Sequence, residues 1–428
     1  MLERIFRLKE NNTDLRTEVV AGLTTFMTMA YIIFVNPSIL EAAGLPRIPT
    51  IAATALAAAI PTLVMGFFTN YPFALASGMG LNAVLTYSVV VGMKLPWQTG
   101  MGIIFIEGAA ITVLVLTRIR ESVMNAIPLS LKRSIGVGIG LLIAYIGMQQ
   151  AGWVTANQAT LTSFGSFRSA GTLVATAGLI ITLILMVRRV KGAILLGIII
   201  TTAIALISGI TRLPEKWVSL PNFSTFARLD IPGALKISLL STIFSFMMVD
   251  FFDTMGTVVA VGGEGGYLTS DGRLPRLNRV LLVDSLAAVW GAICSASSVT
   301  TYIESASGVS AGGRTGLTAV VVGILFLLAI FFAPAISIVP AVATAPALIV
   351  VGFLLMAVVR DVPWQDFAES FPAFLTILVI PLTLSISRGI GYGFITYTLV
   401  KLMVGRWREV HPLMAVVSAL FVLSFALH

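Results

Sequence analysis

The chain has 428 residues, of which 57% are hydrophobic and 11% charged, and its mean hydropathy is +0.99. Soluble domains carry about 25% charged residues, so this composition excludes a soluble globular protein and indicates a polytopic membrane protein. The net charge of +8 does not indicate nucleic-acid binding, because basic residues flank membrane spans as orientation signals; the single cysteine, Cys294, excludes intrachain disulfides.

Apolar runs of about span length recur along the chain after a polar lead-in, residues 1–16, that we expect in the cytosol. We predict spans at 17–36, 50–69, 97–117, 134–150, 170–187, 191–210, 236–260, 278–294, 314–333, 341–359, 369–387 and 389–404. The apolar run 411–427 is either a final span or an additional hydrophobic helix, so the side of the C-terminus stays open.

Two further stretches, 73–91 and 297–312, are apolar but interrupted by Gly, Ser and Thr. Each lies between the second and third full spans of its half of the chain. Short, glycine-interrupted segments at matching places in two halves indicate a transporter's binding site. Non-helical backbone at membrane depth is tolerated only where protein or a water-filled cavity surrounds it.

The two halves match elsewhere as well. A Thr-Gly-led span follows each broken segment, from Gln98 and from Arg314, and a Phe- and Met-rich span precedes each, from Thr24 and from Ser241. Seven segments per half is an odd number, so we predict fourteen segments as a 7+7 inverted repeat. With a cytosolic N-terminus most of the 27 Lys and Arg residues fall on the cytosolic side, as the positive-inside rule requires.

The connecting segments carry weaker signals. Residues 118–133 and 334–341 are amphipathic and favour surface helices over plain loops. Residues 262–279 form a polar cytosolic loop, and its glycines lack the strand-then-helix context of a dinucleotide site.

Carboxylates inside predicted spans are the main functional signal, because a charge at mid-bilayer costs roughly 2.5–3.5 kcal/mol. Asp250 and Asp253 lie mid-span, and Glu304 lies in the second broken segment. Symmetry places Asp253 and Glu304 close together, where paired acceptors suit a neutral, planar ligand rich in N–H donors. The alternative for the two aspartates is a helix-packing pair satisfied by hydroxyl groups.

Since no histidine lies in a predicted span, any proton coupling falls to a carboxyl group: Asp253, Glu304, Asp250 or Glu107. Asp250 either tunes Asp253 or ties helices together. We expect Glu107 to face a polar group of the interior and Asp284 to bridge helices.

Neutral residues complete the candidate site. Asn82 offers a donor and an acceptor, with capping of a half-helix as its alternative. Gly80 permits close backbone approach. Phe73 and Tyr302 flank the two breaks and either stack on an aromatic ligand or pack against protein.

Four motifs carry a family resemblance: TEVVAGLTTFMTMAYIIFVNP, ALASGMGLNA, VDFFDTMGT and TTYIESASG. In this order they resemble the AzgA-like purine permeases, nucleobase–cation symporters related to uracil and xanthine permeases. The likeness spans nearly the whole chain. It implies that Asp253, Glu304 and Asn82 bind the substrate. Thr257 stands where the uracil branch has a histidine.

The resemblance also implies the fold: fourteen helices in a core and a gate domain, with the third and tenth segments half strand and half helix. It predicts an elevator motion of core against gate, and a homodimer through the gates. The expected divisions are the core at 17–118 and 236–333, the gate at 119–211 and 334–428, and an extracytoplasmic linker at 212–235.

The leading hypothesis is a proton-coupled importer of hypoxanthine, guanine or adenine in the cytoplasmic membrane, with no cofactor or metal. The runner-up is an anion transporter of the sulfate-permease type. It resembles the purine permeases in fold, but its binding site is expected to be neutral or basic. A membrane-embedded enzyme is disfavoured because the sequence has no HExxH or GxSxG motif. A channel is a further alternative, which the sequence does not exclude. The sequence does not reveal which purine is preferred.

Overall fold

The computed structural model describes residues 2–117, 127–269 and 274–426. The helices are α1 (Leu2–Phe6), α2 (Leu15–Met29), α3 (Ile32–Glu41), α4 (Arg47–Thr69), α5 (Met79–Ala83), α6 (Trp97–Leu116), α7 (Leu129–Gln150), α8 (Ala170–Val187), α9 (Ala193–Ile207), α10 (Ile231–Ala234), α11 (Leu240–Glu264), α12 (Leu277–Cys294), α13 (Ser305–Ser310), α14 (Gly316–Ala329), α15 (Ala333–Ile336), α16 (Ala341–Leu355), α17 (Phe367–Thr383), α18 (Ile386–Met403) and α19 (Pro412–Ala426). A π-helical stretch, Val84–Gly92, continues α5. The strands are β1 (Leu75–Ser77), β2 (Val154–Asn157), β3 (Leu161–Phe164) and β4 (Val299–Thr301).

The predicted spans are found as helices. In the described parts of the chain, nine helical segments are long and apolar enough to cross a membrane, which confirms a polytopic membrane protein. The shorter apolar helices are Met79–Gly92, Ala193–Ile207, Phe367–Thr383 and Pro412–Leu423. The total of fourteen segments and their inverted repeat remain predictions.

The predicted boundaries need two corrections. The first span is divided into α2 and α3 by a turn at Ala30 and Tyr31, because the Thr28 hydroxyl bonds back to the carbonyls of Thr24 and Thr25 and disturbs the helical ladder. The helix predicted at 134–150 begins earlier, at Leu129, directly after Pro128.

The two broken segments meet inside the molecule. Strands β1 and β4 pair antiparallel, with Leu75 opposite Thr301 and Ser77 opposite Val299, and each is followed by a short helix. The Thr62 side chain forms hydrogen bonds with the backbone of β1. The Leu75 amide donates to the Thr62 hydroxyl at 2.9 Å, and that hydroxyl donates to the Leu75 carbonyl at 3.0 Å. The non-helical backbone is therefore hydrogen-bonded where water is absent.

The spans pack as two bundles. The first bundle contains strands β1 and β4 and helices α2, α3, α4, α5, α6, α11, α12, α13 and α14. The second contains α7, α8, α9, α16, α17 and α18. Helices α3, α5 and α11 of the first bundle contact α16, α7 and α18 of the second. These elements therefore form the boundary between the bundles.

Within the first bundle, Glu18 of α2 caps α14. The Glu18 carboxylate is fully buried and accepts hydrogen bonds from the backbone amides of Arg314, Thr315 and Thr318 at 2.8–3.1 Å. The Thr318 hydroxyl donates to it as well, at 2.6 Å. A carboxylate suits this position because the first amides of a helix lack intrahelical partners and carry partial positive charge.

An ion-pair network ties together the ends of helices in the second bundle. Lys401 of α18 is fully buried and lies 2.6 Å from Glu369 and 2.7 Å from Glu409. Arg406 continues the network to Glu409 at 2.7 Å and to Asp366 at 2.6 Å. The network links α17, α18 and the turn before α19.

The expectation of an all-α chain is corrected to a mostly helical one. Besides β1 and β4, strands β2 and β3 form an exposed hairpin between α7 and α8, whose turn is held by the Asn157 side chain accepting from the Ala159 and Thr160 amides. These strands are only four residues long, too short for a clear alternating pattern to reveal them.

The predicted connecting segments are partly observed. Residues 334–341 contain one helical turn, α15, rather than a surface helix of any length, because Pro340 prevents α15 from continuing. Residues 118–126 and 270–273, parts of the predicted amphipathic linker and polar loop, lie outside the described residues. The run 411–427 is helical as α19, which packs on α18 and α11.

Candidate functional site

Asp253 lies midway along α11, and its side chain is exposed. Helix α11 contacts α6 in the first bundle and α18 in the second. Asp253 is within electrostatic range of Glu304, Tyr31 and Tyr302, which are contributed by other elements of the first bundle. The structure thus brings together the two acids that the sequence predicts to be close.

Glu304 is held in position by a tyrosine. It stands directly before α13 and is partly buried, and the Tyr31 hydroxyl donates to Glu304 Oε1 at 2.5 Å. Tyr31 lies in the turn between α2 and α3, so the interruption of the first span places its hydroxyl on the acid. One oxygen of Glu304 is therefore occupied by protein, and Oε2 takes part in none of the hydrogen bonds found among the described residues.

Asn82 is fully buried in α5, and neither its amide nitrogen nor its amide oxygen has a hydrogen-bond partner among the described residues. The capping alternative is wrong, because the residue at the N-cap of α5 is Gly78 and Asn82 lies inside the helix. A buried amide without partners is costly, and such groups in native proteins call for a ligand or a water. Asn82 is thus available for a ligand.

The two aromatic candidates have packing roles. Phe73 is fully buried and its ring lies 5.5 Å from that of Tyr71, centroid to centroid. The Tyr302 hydroxyl donates to the Ser77 carbonyl at 2.5 Å, which fastens the end of β4 to β1. For both residues the structure favours the packing alternative that the sequence left open.

Gly80 gives close approach to protein. A Cβ atom built at Gly80 would lie 2.8 Å from Ile139 Cγ2 on α7, across the boundary between the bundles. Because real Cβ contacts of that length essentially never occur, glycine permits α5 to lie against the second bundle. Gly80 is therefore a point of close approach between helices, and its place in a substrate site stays a prediction.

Asp284 bridges elements of the first bundle, as the sequence predicts. Its carboxylate accepts from the Thr254 hydroxyl of α11 at 2.6 Å, and from the Thr301 amide and hydroxyl of β4 at 2.8 and 2.7 Å. It therefore ties α12 to the helix that carries Asp253 and to the strand that leads to Glu304.

Asp250 and Glu107 face each other from α11 and α6. The expectation that Glu107 meets a polar group of the interior is confirmed. Asp250 and Asp253 do not share an environment, since one is buried and the other exposed. Three residues advance an α-helix by roughly 300°, which leaves the two side chains about 60° apart.

Sequence reasoning missed Tyr31, and it missed Asn36, whose Nδ2 donates to Thr54 Oγ1 at 2.9 Å and to the Ala296 carbonyl at 3.2 Å. Both residues lie in the motif TTFMTMAYIIFVNP of the first span. Polar side chains in an apolar span were a usable signal, but only the structure identifies their partners.

The Permease family profile (Xan_ur_permease) matches residues 16–392. A putative permease of Methanocaldococcus jannaschii is 48% identical over 99% of this chain and 98% of its own length. The adenine permease AdeQ of Escherichia coli is 44% identical over 100% and 96%, and the guanine/hypoxanthine permease PbuO of Bacillus subtilis is 42% identical over 97% and 98%.

Among solved structures, the transmembrane domain of the cyanobacterial bicarbonate transporter BicA superposes with a TM-score of 0.66 at 14% identity. The match covers 89% of this chain and 97% of that domain, and at this identity it shows a shared fold alone. The profile and the full-length relatives establish more: the chain belongs to the Permease family and is a membrane transporter, not an enzyme.

Proposed function

We propose that this protein imports a purine nucleobase across the cytoplasmic membrane by proton symport, with its N-terminus in the cytosol. The adenine and guanine/hypoxanthine permeases named above match almost the whole chain at 42–44% identity, which supports a purine base as the substrate. Hypoxanthine, guanine and adenine are the candidates.

The observation that carries the proposal is a pair of acids, Asp253 and Glu304, within electrostatic range of each other. Asp253 is exposed, and only one oxygen of Glu304 bonds to Tyr31. Purine bases are neutral, planar and rich in N–H donors, so two carboxylate acceptors complement them. Asn82 adds an amide that can donate to a ring nitrogen and accept from an exocyclic amine.

An anion is the weaker candidate, although the fold is that of a bicarbonate transporter domain. Two carboxylates beside a bound anion repel it, and in a low-dielectric site the repulsion is only weakly screened. Fold likeness does not decide substrate, because function is set by the residues of the site.

We also propose how the fold works. The first bundle acts as the core (17–118 and 236–333), and the second acts as the gate (119–211 and 334–428), joined by the extracytoplasmic linker 212–235. Fourteen segments in a 7+7 inverted repeat would let the core move as an elevator past the gate. Two copies would associate through their gates. The close packing at Gly80 and Ile139 lies on the surface along which such a movement would occur.

Uptake into proteoliposomes tests the proposal. Radiolabelled adenine, guanine or hypoxanthine would be presented with and without an inward proton gradient, and with unlabelled purines, uracil and bicarbonate as competitors. We expect gradient-driven uptake that purines block and that Asp253→Asn and Glu304→Gln abolish. Bicarbonate transport in place of purine uptake would contradict a purine substrate, and non-saturable flux would indicate a channel.

A further inference from the structure

Glu107 and Asp250 form a carboxyl pair inside the first bundle. The exposed fraction is 0% for Glu107 on α6 and 1% for Asp250 on α11, and the two side chains are close enough to interact. None of their four carboxyl oxygens receives a hydrogen bond from a donor group of the described residues.

This geometry requires a proton. Two carboxylates are both acceptors, so a hydrogen bond between them exists only when one carries a proton. Two ionised carboxylates in contact would repel each other, and neither would have a donor to replace water. A single proton shared by Glu107 and Asp250 removes both difficulties.

Among the described residues, no basic side chain acts on the pair in place of that proton. The charged groups that act on the pair are Asp284 of α12 and Asp253 of α11, both acids. Asp284 is already satisfied by Thr254 and Thr301. The basic groups of α7 are engaged elsewhere, since Lys132 lies 5.1 Å from the Phe252 ring centre and Arg133 donates to the Asp361 carbonyl.

We propose that the Glu107–Asp250 pair carries the proton of the symport, whereas Asp253 and Glu304 bind the base. This proposal rests on the proposed function. The proton enters from extracytoplasmic water, is shared by the pair, and leaves to the cytosol with the base. Asp250 is three residues from Asp253 on the same helix and acts on it electrostatically. A proton on the pair removes negative charge beside Asp253, so Asp253 stays ionised and accepts hydrogen bonds from the base.

Coupling of this kind is reciprocal. If the proton on the pair strengthens base binding, then the bound base strengthens proton binding by the same factor. Purine affinity should therefore fall as the pH rises and the pair loses its proton. In Glu107→Gln, the side-chain amide donates a hydrogen bond to Asp250 at every pH, as the protonated Glu107 carboxyl does in wild type. This variant should keep the purine site in its high-affinity form.

The test compares Glu107→Gln and Asp250→Asn with wild type, with Glu215→Gln of the exposed linker as the matched carboxyl-to-amide control. We expect both pair variants to bind purine with an affinity independent of pH and to exchange labelled for unlabelled base. We expect them to lose gradient-driven accumulation by roughly tenfold or more, as loss of a coupling energy of this class allows. Accumulation at the wild-type level in either folded variant would overturn the proposal.

Infrared spectroscopy gives a second readout that does not depend on transport. Wild type at neutral pH should show the carbonyl stretch of a protonated carboxyl group, and Glu107→Gln combined with Asp250→Asn should lack it. Absence of this band from wild type would contradict a proton shared by Glu107 and Asp250. A wild type that has the band but binds no purine would instead contradict the proposed function, and the coupling role with it.

Discussion

Asn82 and Asn36 are both fully buried asparagines of the first bundle, but they differ in their partners. The Asn36 Nδ2 group donates to Thr54 and Ala296, whereas the Asn82 amide has no partner among the described residues. Asn36 is thus part of the structure, and Asn82 is free to meet a ligand.

We expect Asn82→Ala to weaken purine binding by about 2- to 10-fold, the net worth of one hydrogen bond, and not to lower the free energy of unfolding, because the unpartnered amide makes no bond in the folded protein. Asn36→Ala, the matched control, should lower that free energy by about 1–3 kcal/mol. Equilibrium binding and thermal unfolding of both variants measure the difference. A loss of stability in Asn82→Ala with unchanged binding would mean that its role is structural.

At this scale the sequence predicted the acids well, because a carboxylate in an apolar span is conspicuous and expensive. It could not predict that Tyr31 bonds to Glu304, since the two residues are 273 positions apart and the hydroxyl has no charge to mark it. It also could not distinguish stacking from packing for Phe73 and Tyr302, because either role uses the same residue type.

At the scale of helices, Glu18 holds the start of α14 from α2. Glu18→Ala leaves the backbone amides of Arg314 and Thr315 without an acceptor and removes one of the two acceptors of the Thr318 amide, so we expect a loss of about 2 kcal/mol or more in unfolding free energy. Glu10→Ala is the control, because the ion pair that Glu10 forms with Arg7 at 3.6 Å is exposed and contributes little stability. Equal melting temperatures for the two variants would contradict the capping role.

The turn before α19 should respond to acid. Hydrogen bonds from Arg406 and Lys401 lower the pKa of Glu409 from 4.5 to about 2, and the bond from Arg406 lowers that of Asp366. A lowered pKa contributes stability above the unfolded value, and this contribution is lost as the pH falls toward the folded value.

We therefore expect the melting temperature of wild type to fall between about pH 4.5 and pH 2, with Glu409→Gln showing a shallower dependence. Some pH dependence of the melting temperature should remain in Glu409→Gln, because the pKa of Asp366 is also lowered. Melting curves across this range measure both slopes. Identical slopes would show that the ion pairs of Glu409 do not contribute to folding.

Helical periodicity and apolar length predicted these elements to within a few residues at most ends. The β2–β3 hairpin was missed because it is short and polar, and the end caps were missed because Glu18 bonds to residues almost 300 positions away. Long-range pairing leaves little trace in a single sequence.

For the whole molecule, the proposed elevator transport requires the two bundles to move past each other. Gly80→Ala places a methyl group 2.8 Å from Ile139 Cγ2, so the uptake rate should fall by roughly tenfold while purine still binds, since packed interfaces tolerate little added volume. Ile139→Ala added to Gly80→Ala should restore uptake. Failure of this rescue would indicate that Gly80 lies against the substrate.

The division into two halves followed from the matching broken segments, and the antiparallel pairing of β1 with β4 explains why both segments break. The sequence could not supply the register of that pairing or the contacts between the bundles, because both depend on how distant helices pack. The number of segments and the inverted repeat are still to be tested.

Equilibrium binding of radiolabelled adenine and hypoxanthine to purified protein tests whether Asp253 and Glu304 bind a purine, and it requires no assumption about coupling. We expect saturable binding to wild type that guanine displaces and bicarbonate does not. Asp253→Asn and Glu304→Gln should weaken binding by about tenfold or more, the worth of a hydrogen bond to a charged group. Undiminished purine binding in both variants would contradict the site, and displacement by bicarbonate alone would contradict the substrate.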